Sequence, residues 1–254
     1  MIVCKSPAEL EKMRAANQLV AQILEELAGL VAPGVTTADL DRAAESRVRA
    51  AGAEPAFKGY RGYPATLCAS VNEQVVHGIP SPTPLVQGDI VSLDMGVKLD
   101  GYYGDSAITV PVGAIGEEVT NLLRVTQEAL DRGIAQVQVG GRISDIGHAI
   151  QAHVEAHGFS VVREFVGHGI GASLHEEPQI ANYGEPGRGP RLAEGMTLAI
   201  EPMVNMGKPA VKVLADGWTA VTKDGSLSAH FEHTVAVTRD GPLVLTKRPV
   251  VAGR

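Results

Sequence analysis

The chain has 254 residues, 44% of them hydrophobic, and carries a formal net charge of -7 at pH 7. This suffices for one large core or two fused half-domains, and the acidic balance excludes a dedicated nucleic-acid binder that works by neutralising many phosphates. Two cysteines, Cys4 and Cys68, make neither a disulfide framework nor a thiolate zinc site, and no apolar run reaches bilayer length, so a reducing cytoplasm without a membrane or export segment is expected.

In chain order, Ser6-Pro7-Ala8-Glu9 predicts the start of a helix, with Ser6 as cap, Pro7 in the first turn and Glu9 closing a capping box. Apolar periodicity carries it to about Leu30. A second helix is predicted from Thr36 or Thr37 to Gly52, a glycine placed where helices commonly stop. The stretch Ile90 to Val110 carries two strand patterns around Asp100-Gly101, a dipeptide that favours a two-residue type I′ hairpin. Val91, Leu93, Met95, Val97 and Leu99 then share one face, and Asp94 lies on the other with Ser92 and Gly96. With that turn Asp105 pairs with Gly96, making Asp94 and Asp105 diagonal neighbours, and the missing side chain of Gly96 leaves a gap where a cation could sit.

The order helix, turn, capped helix, glycine returns from about Glu117 to Gly158, which suggests an internal duplication. Adding 106 to Val31, Gly34, Asp39, Ala43, Val48, Ala50 and Gly52 lands on the same residue types from Val137 to Gly158. A shift of 107 places Gly88, Val91, Leu93, Asp94 and Val97 over Gly195, Leu198, Ile200, Glu201 and Val204, so that an acid faces an acid. Alanine and glycine matches are common in such a chain, and the strand matches carry more information. They predict one α+β catalytic domain over 1–254 whose halves, roughly 1–112 and 113–254, pack about a pseudo-two-fold axis with the site between them.

Further along, His168 stands between Gly167 and Gly169 after an apolar stretch, which suggests crowded backbone contact. Those glycines do not have dinucleotide-binding spacing, and no phosphate-loop lysine follows them. His175 adds a second imidazole within reach of the same cleft. In TLAIEPMV and SAHFEHTVAV, read as apolar strands, the carboxylates of Glu201 and Glu232 would be costly to bury without partners. If Asp94, Asp105, Glu201 and Glu232 converge with His168, each pair of like charges repels by about 4 kcal/mol at ~4 Å and intermediate dielectric. Two divalent cations would balance four carboxylates, and neutral imidazole adds a donor without charge. Carboxylates with one histidine favour manganese, iron(II), cobalt or zinc. Such a pair of ions can hold a bridging hydroxide and polarise a carbonyl or phosphoryl group, so hydrolysis is expected, and the cluster alone does not distinguish a peptide from a phosphate ester.

The ordered motifs NEQVVHGIP, LDMGVKLDGYYGDSA, FVGHGIGASLHEEP, LAIEPMV and SAHFEHTVAV resemble the methionine aminopeptidase family over roughly residues 3 to 249. The 33-residue step from His168 to Glu201 resembles its type I members, since type II enzymes carry a large insertion there, and the minimal form, with no zinc-binding extension before the catalytic unit, is expected. The resemblance implies a pita-bread fold and removal of the initiator methionine from nascent proteins, with a preference for a small second residue. By motif position it implies metal ligation by Asp94, Asp105, His168, Glu201 and Glu232, substrate and transition-state contacts from His77 and His175, and a proton-shuttling role for Glu201. The methionine pocket it implies is Tyr60, Tyr63, Cys68 and Trp218, with Leu174 where many relatives carry a larger aromatic. Expected partners are nascent N-termini, and the enzyme is expected to be a monomer; Lys208, Lys212 and Lys223 around a hairpin after Glu201 read either as a solvated face or as a contact with ribosomal RNA. Rival readings are a prolidase, aminopeptidase P or creatinase relative, which usually adds an N-terminal domain, a catalytically dead binding protein, and a dinuclear phosphoesterase with a basic pocket.

Overall fold

In the computed structural model, residues 1–247 are described; Arg248 and Pro249, the last two positions of the resemblance, lie outside them. Four α-helices are present among these residues: α1 (Pro7–Leu30), α2 (Thr37–Ala50), α3 (Glu117–Ala135) and α4 (Ile143–Ala156). The predicted caps form. Glu9 N–H donates to Ser6 Oγ, and the Ser6 N–H donates back to Glu9 Oε2 at 2.8 Å. Thr36 and Asp39 repeat this at α2, and Gly52 and Gly158 follow their helices with φ of 71° and 80°.

The strands in chain order are β1 (Glu54–Pro55), β2 (Leu67–Val71), β3 (Gln74–Val76), β4 (Ile90–Leu99), β5 (Tyr102–Pro111), β6 (Ser160–Val161), β7 (Gly167–Gly169), β8 (Glu176–Ile180), β9 (Thr197–Ile200), β10 (Met203–Asn205), β11 (Val211–Val213), β12 (Ala220–Thr222), β13 (Ser228–His230), β14 (Glu232–Thr238) and β15 (Gly241–Val244). Nine of them build one antiparallel sheet along the path β1-β4-β5-β14-β9-β7-β8, with β2 on β4 and β15 on β14. Two three-stranded sheets, β13-β10-β6 and β11-β12-β3, stand beside it. The class is the expected α+β, an antiparallel sheet flanked by helices.

Side-chain parity assigns the two faces of the large sheet. Val91, Leu93, Met95 and Val97 of β4 pack with Ala16, Val20, Ile23 and Leu40 of α1 and α2. Leu198, Ile200, Val235 and Val237 pack with Leu122, Leu130, Ile146 and Ile150 of α3 and α4. Both helix pairs therefore bury the odd-numbered positions of β4 and β14 and the even-numbered ones of β9. Alternation then sends the intervening side chains, acids included, to the opposite face. The predicted turn holds: Asp100 and Gly101 have φ of 49° and 85°, as type I′ requires, and Gly96 pairs with Asp105.

Three expectations need correction. The apolar stretches around Glu201 and Glu232 are not single strands. Pro202 cannot donate to a ladder, so the chain leaves β9 at Ile200 and resumes as β10 in another sheet; Phe231, whose N–H donates to Pro202 O at 3.4 Å, separates β13 from β14. The gap over Gly96 is also filled, because a Cβ there would lie 3.0 Å from both Ala56 and Phe57, which occupy the space assigned to a cation. Finally, His168 lies within β7 itself; the apolar residues before it form only the two-residue β6.

Candidate metal centre and cleft

The register across the sheet gathers the acids. Cys68 pairs with Asp94, Asp94 with Ala107, and Ala107 with Glu232, so these side chains share one face. Asp105, two residues before Ala107, shares it as well. Ala199 lies between Thr234 of β14 and His168 of β7, which puts His168 on that face too. Glu201 follows Ile200 at the strand break and completes the group.

Neighbouring side chains hold these backbones in place. Asn17 of α1 is fully buried; its Nδ2 donates to Met13 O at 2.8 Å, and its Oδ1 accepts from the Asp105 N–H at 3.2 Å. Thr234 Oγ1 donates to Asp105 O at 2.8 Å, and Ser106 Oγ donates to Glu232 O at 2.6 Å. The helix can come this close because residue 104 is glycine, where a Cβ would sit 2.8 Å from the Ala16 carbonyl carbon and the Asn17 nitrogen. The glycines flanking His168 act alike: a Cβ on Gly167 would strike the Ala199 carbonyl, and one on Gly169 the Glu177 carbonyl.

His168 Nδ1 sits 2.9 Å from Gly169 O, so its N–H donates to that carbonyl and Nε2 is left as a lone-pair donor. Nε2 lies 3.5 Å from Glu201 Oε1 and 3.8 Å from Asp105 Oδ2. Donor atoms of Asp105, His168 and Glu232 lie within 4.8 Å of one another. Asp94 Oδ1, Asp105 Oδ1 and Glu232 Oε1 are buried without a hydrogen-bond partner, a costly state that a cation relieves. Burial pushes the Asp94 carboxyl up to about 7. Burial first, and then the charge of neighbouring acids, pushes Asp105, Glu201 and Glu232 well above the usual carboxylate range. Burial, reinforced by His175, lowers His168 to about 3, so its imidazole is neutral at pH 7. A neutral imidazole among mutually repelling carboxylates fits divalent cations well.

The structure brings every sequence-predicted site residue to one cavity of about 160 Å³. Tyr60, Tyr63, Cys68, His77, Leu174, His175 and Trp218 line it above the acids. His175 Nδ1 is 2.9 Å from the Tyr60 hydroxyl, and its ring lies 4.2 Å from that of His168. Burial, and after it the charge of Arg61, holds the His175 imidazole below its ordinary value. Burial and then His175 lower His77 to about 4. The single Tyr63 O–H is shared between Gly78 O at 2.9 Å and Leu67 O at 3.1 Å, and the ring meets Trp218 edge-on at 5.1 Å. Leu174 is buried with Met13, Ile170 and Ala236. Sequence reasoning missed Phe57 and Arg61, which also line the cavity. Their segment, AFKGYRGYP, is dense in aromatics and glycines, and that density was the available signal.

Residues 11–239 match metallopeptidase family M24. Methionine aminopeptidase 1 of Bacillus subtilis (strain 168) is 54% identical over 247 residues, 97% of this chain and 100% of that protein. The methionine aminopeptidase of Clostridium perfringens is 53% identical over 246 residues, covering 97% and 99% of the two chains. The crystal structure of methionine aminopeptidase from Thermotoga maritima superposes with a TM-score of 0.96 at 49% identity, covering 98% of this chain and 100% of that one. A match across nearly the whole chain, at identities of about half, means that the chain belongs to metallopeptidase family M24 and, within it, to the methionine aminopeptidases.

Proposed function

We propose that the chain removes the initiator methionine from new polypeptides, using two divalent cations held by Asp94, Asp105, His168, Glu201 and Glu232. The observation that carries this reading is the convergence of four carboxylates and one lone-pair imidazole nitrogen on one sheet face, with three carboxylate oxygens left unpaired. Four negative charges call for two divalent cations, and the donor set suits cobalt, manganese, iron(II) or zinc. When bound, such cations supply Lewis-acid polarisation of the scissile carbonyl and activation of the hydrolytic water.

The remaining work falls to side chains of the cleft. Tyr60, Tyr63, Cys68, Leu174 and Trp218 offer soft and aromatic surface to the methionine thioether. Tyr60 O–H donates to His175 Nδ1, which puts the proton of the neutral ring on Nε2, where it can donate to the carbonyl oxygen as negative charge develops there. His77, beside Trp218, contacts the peptide. Glu201 takes the proton released by the attacking water and passes it to the departing amine as the C–N bond breaks. The second side chain of the substrate is pressed against the wall, so Gly, Ala, Ser or Thr fits and a bulky residue lifts the carbonyl from its reacting position. A displacement of about 1 Å can cost 10²-fold in rate.

The reading includes one catalytic unit with halves of roughly 1–112 and 113–254, acting as a monomer in the cytoplasm, with ribosomal RNA touching Lys208, Lys212 and Lys223. Among the described residues no helix is long and apolar enough to cross a membrane. Methionine release from Met-Ala-Ser, compared with Met-Ile-Ser, Ala-Pro and a phosphate monoester, tests the proposal. Met-Ala-Ser should be cleaved at least ~10²-fold faster than Met-Ile-Ser, the other two should be inert, and chelation should abolish activity until a divalent cation is restored. Full activity after exhaustive metal removal, or preferential cleavage of Ala-Pro, would reject it.

A further inference from the structure

Away from the cleft, His153 of α4 and His157, the residue just past its C-terminal end, stand one turn apart and meet Glu128 of α3. His153 Nε2 lies 3.0 Å from Glu128 Oε2, and the two imidazole rings are 4.5 Å apart. One donor atom from each of the three side chains can be taken so that all lie within 4.8 Å of one another. We propose that Glu128, His153 and His157 form a second divalent-metal site, bridging α3 and α4 and taking an ion of the zinc, nickel(II) or copper(II) class.

Three features separate this cluster from an ordinary helix-packing ion pair. His157 Nδ1 lies 2.8 Å from His153 O, so its N–H is spent on a backbone carbonyl and its Nε2 lone pair is left for a ligand. Metal-binding histidines are oriented by this kind of contact. His153 is 8% exposed, and burial, Arg132 and His157 together outweigh Glu128 and hold its pKa below the ordinary value, so the ring is neutral at pH 7. Glu128 gives Oε1 to Arg124 at 2.6 Å and keeps Oε2 toward His153.

Two imidazoles and one carboxylate make a ligand set used for zinc, with bonds of about 2.0 to 2.2 Å and a fourth position left for water. Binding one ion requires the three donors, which lie within 4.8 Å of one another, to draw together to coordination distance. His153 Nε2 binds the ion in place of the proton it shares with Glu128, and that proton moves to Nδ1 of the same ring. No net proton is released at neutral pH. Arg124 and Arg132 oppose the added charge, so this site should bind more weakly than the cleft.

Equilibrium dialysis of the full chain against Zn2+ at pH 7 tests the proposal by difference, whatever the cleft retains. The unaltered chain should bind one more zinc than His157→Ala, and Glu128→Gln should weaken that zinc by at least about tenfold. His157→Gln serves as a second variant should the alanine disturb the helix end, with far-ultraviolet circular dichroism checking both. Peptidase activity, measured with the cleft loaded, should be the same in all four proteins. Equal zinc counts in the unaltered chain and in folded His157 variants would overturn the proposal, and an unchanged affinity in Glu128→Gln would overturn the three-ligand set.

Discussion

His175 illustrates how a single side chain is tuned by what touches it. Burial and Arg61 keep its ring neutral, and the Tyr60 hydroxyl engages Nδ1. If its work is transition-state contact, His175→Ala should keep full metal content and lose about 2.7 to 4 kcal/mol of transition-state stabilisation, a fall of ~10²- to 10³-fold in kcat. Near-normal turnover in a metal-replete variant would return His175 to a packing role. The acids below it make a second prediction, about the metal-free chain. Their raised pKa values mean that the folded state binds more protons than the unfolded one above about pH 4, so stability falls as pH rises through Asp94's value of about 7 and beyond. Buried histidines act in the opposite sense: His77 and His233 at about 4 and His168 and His230 at about 3 lose stability as pH falls below their ordinary 6.5. Unfolded imidazoles are half-protonated at about pH 6.5 and neutral only above about pH 7.5, where the acids dominate. Between about pH 7.5 and 8.5 the metal-free Tm should therefore decline, and a saturating divalent cation should remove the decline. A flat or rising metal-free Tm over that interval would contradict the assignment.

At the scale of elements, the site depends on connections that hold the β7–β8 turn. Lys5, just before α1, places Nζ 2.5 Å from Glu176 Oε2 and 3.1 Å from Val3 O, and its N–H donates to Gly195 O at 2.7 Å. Glu176 Oε1 in turn accepts from the Ser173 N–H, so the N-terminal segment clasps the loop that carries Leu174 and His175. The pair is buried, with 3% and 14% of the two side chains exposed. Lys5→Met leaves a desolvated carboxylate without its partner and should cost about 3 kcal/mol or more of unfolding free energy, much of it recovered when Glu176→Gln is added. Urea titration of the single and double variants checks this; a single-variant loss below ~1 kcal/mol would show that the pair behaves as an exposed one. The strand breaks are decided at this scale as well. Asp94 and Asp105 sit in continuous ten-residue strands, whereas Glu201 and Glu232 sit where strands part toward different sheets.

Across the whole molecule, the net charge of -7 repels RNA, so any ribosome contact has to be local. Lys208, Lys212 and Lys223 are exposed around the β11–β12 hairpin, with Asp224 among them accepting from the Lys208 N–H at 2.7 Å. If the three lysines neutralise phosphates, the logarithm of the affinity should fall with the logarithm of salt with a slope of about -2 to -3. Reversing all three charges should abolish co-sedimentation with ribosomes at low salt. Unchanged co-sedimentation of the reversed variant would count against the contact.

Much of this protein was legible in the sequence because the governing interactions are short-range. The caps at Ser6 and Thr36 act within one helical turn, Asp100-Gly101 sets a two-residue turn, and that turn alone fixes which residue faces Asp105. Strand parity then put Asp94 and Asp105 on one face, and the cost of burying acids argued for cations. Tertiary structure decided what has no local period or spacing. Asn17 reaches the Asp105 backbone across 88 positions, and Phe57 closes the gap over Gly96. Arg61 comes to the cleft through a left-handed turn, with φ of 49°, between Gly59 and Gly62; those glycines announce a turn but not where its side chain goes. Such contacts depend on which surfaces meet after the helices pack, and the single-residue alternation of a strand carries no record of them.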